Sequence, residues 1–298
     1  MVTRLIIVNA AIFVAVNVLK IVLKIANQWE TPEFYTDFIQ FFCMAADWKQ
    51  LLTHPWGILT SIFLHEDFMH ILFNMLFLYW FGRIVGDLIG NKHILPIYIL
   101  GGIVGNIVYF ITANLLNYGG SFALGASAGT TAILLAAGFL APDYWIGILL
   151  IGPVRLKYVV AVVLFLDLIA IANDSNTGGH FAHLGGAIMG ALYISRLRAG
   201  QDLGAPIVAV TNATGRFFDN LLGQRKGTWR PKVAYKSPGA TKQKQTRPSR
   251  PKSGVHVSDA EDLSHQEKLD SILDKIKQSG YDSLSNSEKE FLFNASKK

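Results

Sequence analysis

Six apolar stretches, each long enough to cross a lipid bilayer, divide the first two thirds of the chain. They run at about 5–23, 66–88, 94–115, 123–141, 154–172 and 180–197. A bilayer core needs about 20 mostly apolar residues per helix, so each stretch predicts a membrane-spanning helix. The first follows Met1–Val2–Thr3–Arg4, runs to about Val22, contains Asn9 and Asn17, and shows no small-residue cleavage site. It therefore reads as a retained span and not as a signal peptide. The apolar run Tyr144–Gly152 is too short to cross and predicts a membrane-surface connection. Gly101 and Gly105, Gly125 and Gly129, and Gly186 and Gly190 recur at intervals of four, a spacing that lets helix backbones approach closely.

The pattern changes after the sixth stretch. Residues 199–258 are rich in Gly, Pro, Thr, Lys and Arg and hold too few apolar residues to build a core, which predicts a basic, disordered linker. Phe217, Phe218, Leu221 and Leu222 are its candidates for touching the membrane surface. Over 259–298 helical periodicity returns: Leu269, Ile272, Leu273 and Ile276 share a face, and Gly280 is placed to end that helix. Ser285 and Glu288 then form a capping box that opens a second helix through Phe291 and Phe293. Such a small hairpin is expected to dock on a partner, on a second copy or on the membrane. The expected fold is thus an all-α bundle of six transmembrane helices over 1–198, a flexible tail, and a terminal helical hairpin.

Charge orients the bundle. Of 27 Lys and Arg, eight precede residue 195, so the net charge of +6 belongs to the tail. With the N-terminus inside, the inner segments hold Arg4, Arg83, Lys92, Arg155, Lys157 and the whole tail, against Lys20, Lys24 and Lys49 outside. The positive-inside rule then puts both termini in the cytoplasm, with the cell's inner (plasma) membrane as the expected location. Beside a run of spans, the basic tail's expected partner is an anionic lipid surface, and no nucleic acid. The single cysteine, Cys43, excludes an intrachain disulfide and a cysteine-built metal site.

Polar residues inside spans are costly and stand out as candidates for function. They are His70 and Asn74 in the second span, Asn106 in the third, Ser127 in the fourth, Asp167 in the fifth, and His180 and His183 at the sixth. Spans two, four and six run in the same direction, so His70, Asn74, Ser127 and His183 fall at similar depth below one surface. Nucleophilic catalysis needs a hydroxyl, a base within hydrogen-bond reach, and donors aimed at the developing oxyanion. Ser127 supplies the first and His183 the second. His70 and Asn74, one helical turn apart on one face, supply donors. Gly125 and Gly129 permit a tight entry to Ser127, and a helix start there offers unpaired N–H groups. Taken singly, each has a structural explanation: a serine in a span bonds the preceding turn, and Asn106 and Asp167 read as caps or bridges between helices.

Two motif matches fail. Gly125–Ala126–Ser127–Ala128–Gly129 fits G-x-S-x-G, but the α/β-hydrolase elbow needs a preceding strand where this chain has the loop Asn117–Ser121, and an acid between serine and histidine. His65 and His70 mimic the zinc-protease H-E-x-x-H with one residue too many. At i, i+5 they diverge by about 140° on a helix and cannot chelate one ion. No metal or cofactor is expected.

His65–Glu66–Asp67–Phe68–Met69–His70–Ile71–Leu72–Phe73–Asn74, Gly125–Ala126–Ser127, and Ala182–His183–Leu184–Gly185–Gly186 with Gly190 together resemble the rhomboid family of intramembrane proteases. The resemblance covers about 50–197, and Pro55–Trp56 is similar to the end of the family's first loop. It implies a rhomboid-like bundle, a Ser127–His183 dyad without an acidic third member, and an oxyanion hole from His70, Asn74 and the Ser127 N–H. It further implies a glycine ladder packing the histidine helix on the serine helix, and a large outer loop over 25–64 lying partly in the interface. The implied substrate is a single-span membrane protein with a locally unstable helix, admitted laterally or beneath a mobile cap. The tail is similar to small hairpins appended to bacterial rhomboids. Three positions depart from the pattern: Ala128 and Thr131 stand where the family often has glycine and an aromatic that supports the histidine, and Gly82–Arg83 with Asp87 replace a Gly-Gly and a glutamate. The expected activity is serine-type endopeptidase through an acyl-enzyme. A span-binding pseudoprotease is opposed by the intact Ser127 and His183, and a transporter by the lack of repeated halves.

Overall fold

The computed structural model describes residues 1–117, 122–148, 151–221, 268–276 and 283–295. The chain forms two compact units, Met1–Thr228 and Trp229–Lys298, considered separately below.

In the first unit a long helix α1 (Val2–Ala26) is followed by the short helices α2 (Glu33–Phe42), α3 (Trp48–Thr53) and α4 (Gly57–Thr60). Then come α5 (Phe68–Ile89), α6 (Ile94–Leu116), α7 (Ser127–Leu140), α8 (Leu156–Ala172), α9 (Thr177–Arg198) and α10 (Ala205–Leu221). Helices stand at all six predicted span positions. Among the described residues three are long and apolar enough to cross a membrane, namely Val2–Ala26, Phe68–Ile89 and Asn91–Leu116. The expectation of six membrane-length helices is met for those three only. α7 has 14 residues, α8 has 17, and α9 carries two histidines, two arginines and five glycines that dilute its hydropathy.

Composition explains the arrangement. α7 is built of Ala, Gly, Thr and Leu, and every residue from Ala128 to Gly138 is buried, so it is the bundle's central post, with α5, α6, α8 and α9 packed round it. Its small side chains let the neighbours close in. An added Cβ at Gly101 would sit 2.3 Å from Ala132 Cβ, and one at Gly105 2.4 Å from Ala128 Cβ. α9 approaches from the other side, where a Cβ at Gly186 or Gly190 would fall 2.1 Å from the carbonyl oxygen of Ala128 or Ala132. The glycine ladder thus seats the histidine helix on the serine helix.

Buried polar groups fix the remaining helices. Tyr98 donates from α6 to the Ile62 carbonyl (3.0 Å) and to Asn9 Oδ1 on α1 (3.2 Å). Asn106 donates to the Ile58 carbonyl (2.8 Å) and Ser61 Oγ (2.9 Å), bridging α6 to α4 as a structural asparagine should. The segment before α5 is clasped by Trp56 Nε1 on the Phe41 carbonyl (2.7 Å), with Phe41, His54 and Trp56 in ring contact. Trp29, Phe34, Trp48 and Leu52 remain exposed on this segment. Cys43 is buried, and burial with the nearby Glu66 charge pushes its thiol up to about 12, so it is an inert hydrophobe.

Short strands interrupt the all-helical pattern. β1 (Met44–Ala45) pairs antiparallel with β2 (Phe122–Ala123), tying the first loop to the approach to α7. The connection predicted to lie on the membrane surface is a hairpin, β3 (Trp145–Ile148) with β4 (Gly152–Arg155). Gly152, at φ +96°, supplies a backbone that side chains resist, and Asp143 ties the base to Arg155 (3.1 Å) and Lys157 (2.7 Å). The segment expected to be disordered from residue 199 begins instead with α10, because Ala205–Leu221 is rich enough in Ala, Val, Ile and Phe to hold a helix. Phe217 is exposed there. The side chains of Phe218 and Leu221, and Leu222 itself, lie outside the described residues, as does the rest of the expected linker.

In the second unit a helix α11 spans 268–276 and α12 runs Asn286–Ala295. The capping box is present: the Ser285 N–H donates to Glu288 Oε2 (2.7 Å), and the Glu288 N–H to Ser285 Oγ (3.4 Å). Lys275 on α11 pairs with Glu288 (2.9 Å), and Ile272 and Leu284 are buried. Gly280 and the Phe293 side chain lie outside the described residues.

Candidate active site

The turn into α7 is set by three backbone restraints. Gly125 adopts φ +128°, a conformation open to glycine alone, and its N–H donates to the Ser61 carbonyl (2.9 Å). A Cβ there would also strike His70 Cε1 at 2.7 Å, so the missing side chain makes room for the imidazole. The Ala126 N–H donates to His65 Nε2 (3.3 Å). α7 therefore begins at Ser127, where the first turn's N–H groups have no partner within the helix and its dipole presents a positive end.

α5 contributes two polar side chains. Asp67 caps its N-terminus by accepting from the His70 N–H (2.8 Å). One turn later Asn74 donates from Nδ2 to the His70 carbonyl (2.9 Å) and accepts from Thr130 Oγ1 on α7 (3.0 Å). The amide nitrogen carries two hydrogens, so one donor is left over.

α9 brings its histidines to the same place. His180 and His183, one turn apart, both meet Asp167 Oδ1 of α8 through Nδ1, at 2.6 and 2.8 Å. A carboxylate accepts, so the His183 proton resides on Nδ1 and the Nε2 lone pair is left for another partner. Ser127, His183, His70, Asn74, Thr130 and Asp167 line one cavity of 1250 Å³. All four residues expected from the sequence thus face a common space, although α5, α7 and α9 are far apart along the chain.

As read from the sequence, Asp167 bridges neighbouring helices, α8 to α9; the correction is that it does so on His183 itself, where the resemblance implied a dyad without an acidic member. Thr131, buried in the cavity wall, stands where an aromatic was expected to support the base, and the support comes instead from Asp167 across the helix pair. The signal was available. α8 runs opposite to α7 and α9, so a residue five positions before its end at Ala172 lies at the depth of a residue early in α9. Thr130 and His65, which lock Asn74 and Ala126, left no such signal. The α/β-hydrolase match stays rejected on fold, since β2 is a two-residue antiparallel strand, although an acid does lie between serine and histidine in the chain.

A half-buried serine at a helix start and a histidine with its Nδ1 held by a carboxylate form a polar centre inside an apolar helical bundle. Residues 52–199 match the rhomboid domain, and the chain is a rhomboid-family membrane protein. Residues 259–298 match a family of unknown function, DUF6576. The chain is 30% identical over 157 residues to RHOMBOID-like protein 12, mitochondrial, of Arabidopsis thaliana, covering 48% of this chain and 47% of that protein. It is 32% identical over 173 residues to Rhomboid protein 1, mitochondrial, of Saccharomyces cerevisiae, covering 55% and 47%. A Bacillus subtilis rhomboid relative is 28% identical over 143 residues, covering 47% and 68%. The chain spans about half the length of the mitochondrial relatives it matches. The plasma-membrane expectation is overturned, because most of the relatives are named as mitochondrial. Charge asymmetry reports which side of a bilayer a loop occupies and carries no information on which bilayer that is.

Proposed function

We propose that this chain is an intramembrane serine endopeptidase of six spans, α1 and α5–α9, that hydrolyses peptide bonds in or beside the transmembrane segment of a single-span protein. The observation that carries the reading is the convergence of Ser127, His183 and Asp167 on the cavity, with His183 Nδ1 held by Asp167 at 2.8 Å. Substrate bound there puts its carbonyl carbon against Ser127 Oγ. The hydroxyl attacks, its proton passes to His183 Nε2, and the negative charge develops on the carbonyl oxygen. Donors for that oxygen are the Ser127 N–H, the spare Nδ2 hydrogen of Asn74, and His70. His183 then returns the proton to the leaving amine, and water repeats the sequence on the acyl-serine. Asp167 keeps the imidazole in the tautomer that can accept and stabilises the imidazolium that forms. No step requires a metal or cofactor.

The length of α7 supports the membrane placement. Its 14 residues rise about 21 Å, against a hydrocarbon core of about 30 Å. A post that short, ending at Ser127, leaves room above it for water to reach the serine from one face. The basic stretch beyond α10 has an anionic lipid surface as its proposed partner, and the 259–298 hairpin a protein partner or a second copy.

Purified protein in liposomes with a single-span reporter tests the reading. Cleavage that is lost in both Ser127→Ala and His183→Ala is expected. A wild type that cuts no reporter would favour a binding role instead.

A further inference from the structure

We infer that Asp167, His180 and His183 form a binding site for a divalent transition-metal ion of the zinc type, and that its occupation arrests the proposed hydrolysis. The second half rests on the function proposed above; the first stands without it. Three donors from two facing helices converge, and their ligating atoms all lie within 4.8 Å of one another. Two imidazole nitrogens and a carboxylate are a donor set that suits zinc, cobalt or iron(II).

The hydrogen bonds within the cluster leave it incompletely satisfied. Both histidines compete for Oδ1, while Oδ2 of Asp167 is buried without a hydrogen-bond partner, on a residue only 5% exposed. A buried anionic oxygen without a partner is expensive. One dication taking the place of the two Nδ1 protons, each ring then carrying its hydrogen on Nε2, would neutralise the carboxylate and engage both nitrogens at once. Tetrahedral ligands at 2.0–2.1 Å from zinc stand roughly 3.3 Å apart. The observed Oδ1–Nδ1 separations of 2.6 and 2.8 Å therefore need to open by about half an ångström. That lies within the freedom of two rings that are 20% and 19% exposed. The fourth position faces the cavity, where Glu66, Asp67 and Asp174 add acidic groups along the wall and draw cations in. Opening the Asp167–His183 contact and turning the ring onto a metal takes the base from Ser127, so the same ion that fills the site stops the reaction.

The test uses the full chain as Ser127→Ala, purified in detergent through a tag without histidines and titrated with cobalt(II). Visible d–d bands of tetrahedral intensity should saturate at one equivalent, disappear in the Ser127→Ala, His180→Ala double variant, and be displaced by zinc. His180→Gln repeats the measurement if the alanine form misfolds. In parallel, zinc should inhibit reporter cleavage by the wild type reversibly. Each His180 variant, referred to its own uninhibited rate, should need more zinc by well over the roughly 10- to 100-fold that loss of a mere outer-shell partner costs. Absence of the cobalt bands, or bands that survive both His180 substitutions, overturns the metal site. Cobalt bands in a protein that cleaves nothing would sink the protease reading alone.

Discussion

Gly186→Ala puts one methyl group into the seam between the base and the nucleophile. The new Cβ would lie 2.1 Å from the Ala128 carbonyl oxygen and 2.8 Å from its carbon, both backbone atoms that no side-chain rotation can move away. Carbon–oxygen contacts settle at roughly 3.3 Å, so α9 must withdraw from α7 by about 1 Å. His183 sits one turn before Gly186 on the same helix and travels with it. A displacement of that size between reacting groups costs on the order of a hundredfold in rate. Overpacking of a close seam costs about 1–3 kcal/mol of stability. The assay pairs kcat/KM on a transmembrane reporter with the thermal aggregation midpoint in detergent. Gly147→Ala in β3 is the control, because nothing lies within 4 Å of its added Cβ. Gly186→Ala should lose both activity and midpoint, and Gly147→Ala neither. A Gly186→Ala protein that cleaves and melts like the wild type would refute the idea that this backbone contact sets the Ser127–His183 geometry.

Four further outcomes are expected. Asp167→Asn should lower kcat by on the order of a hundred- to ten-thousand-fold with KM little changed, because the amide favours the wrong imidazole tautomer; an equal rise in KM would point to a binding role. Gly125→Ala should abolish cleavage, since it meets both a left-handed backbone and the His70 ring at 2.7 Å. Asn106→Leu should cost about 1–3 kcal/mol by leaving the Ile58 carbonyl and Ser61 hydroxyl unpaired, read as a lower aggregation midpoint. In the second unit, the backbone N–H of Ser285 and the Lys275 ammonium hold the Glu288 carboxyl down at about 2. A depressed carboxylate contributes stability above its unfolded value near 4.3, and that contribution fades as pH falls towards 2. Amide exchange over 283–295 should therefore quicken relative to its intrinsic rate across that window, and Glu288→Gln should flatten the dependence.

Helix positions were legible because apolar runs and small-residue spacing report directly on burial, and the direction of alternate spans placed His70, Asn74, Ser127 and His183 at one depth. Helix lengths were less so. α7 is wrapped by four neighbours, so its apolar composition reflects protein packing, and the run at 123–141 overstated it by including the turn that carries Gly125. The β3–β4 hairpin was hidden because a nine-residue apolar stretch fits strand and surface helix equally. Asp167 was legible as a bridge between helices and its depth followed from span direction, but its partner depends on how α8 rotates against α9, and no pattern in a single chain fixes that rotation. The cellular membrane was misread because Lys and Arg placement speaks to sidedness alone.

The central claim is that Ser127 cuts with His183 as its base. The most direct measurement is mass analysis of the wild type and of His183→Ala after exposure to a fluorophosphonate that labels activated serines, followed by peptide mapping. The account predicts one adduct on the peptide bearing Ser127 in the wild type and none in His183→Ala. Labelling that is absent from the wild type, or that persists undiminished without His183, would contradict it.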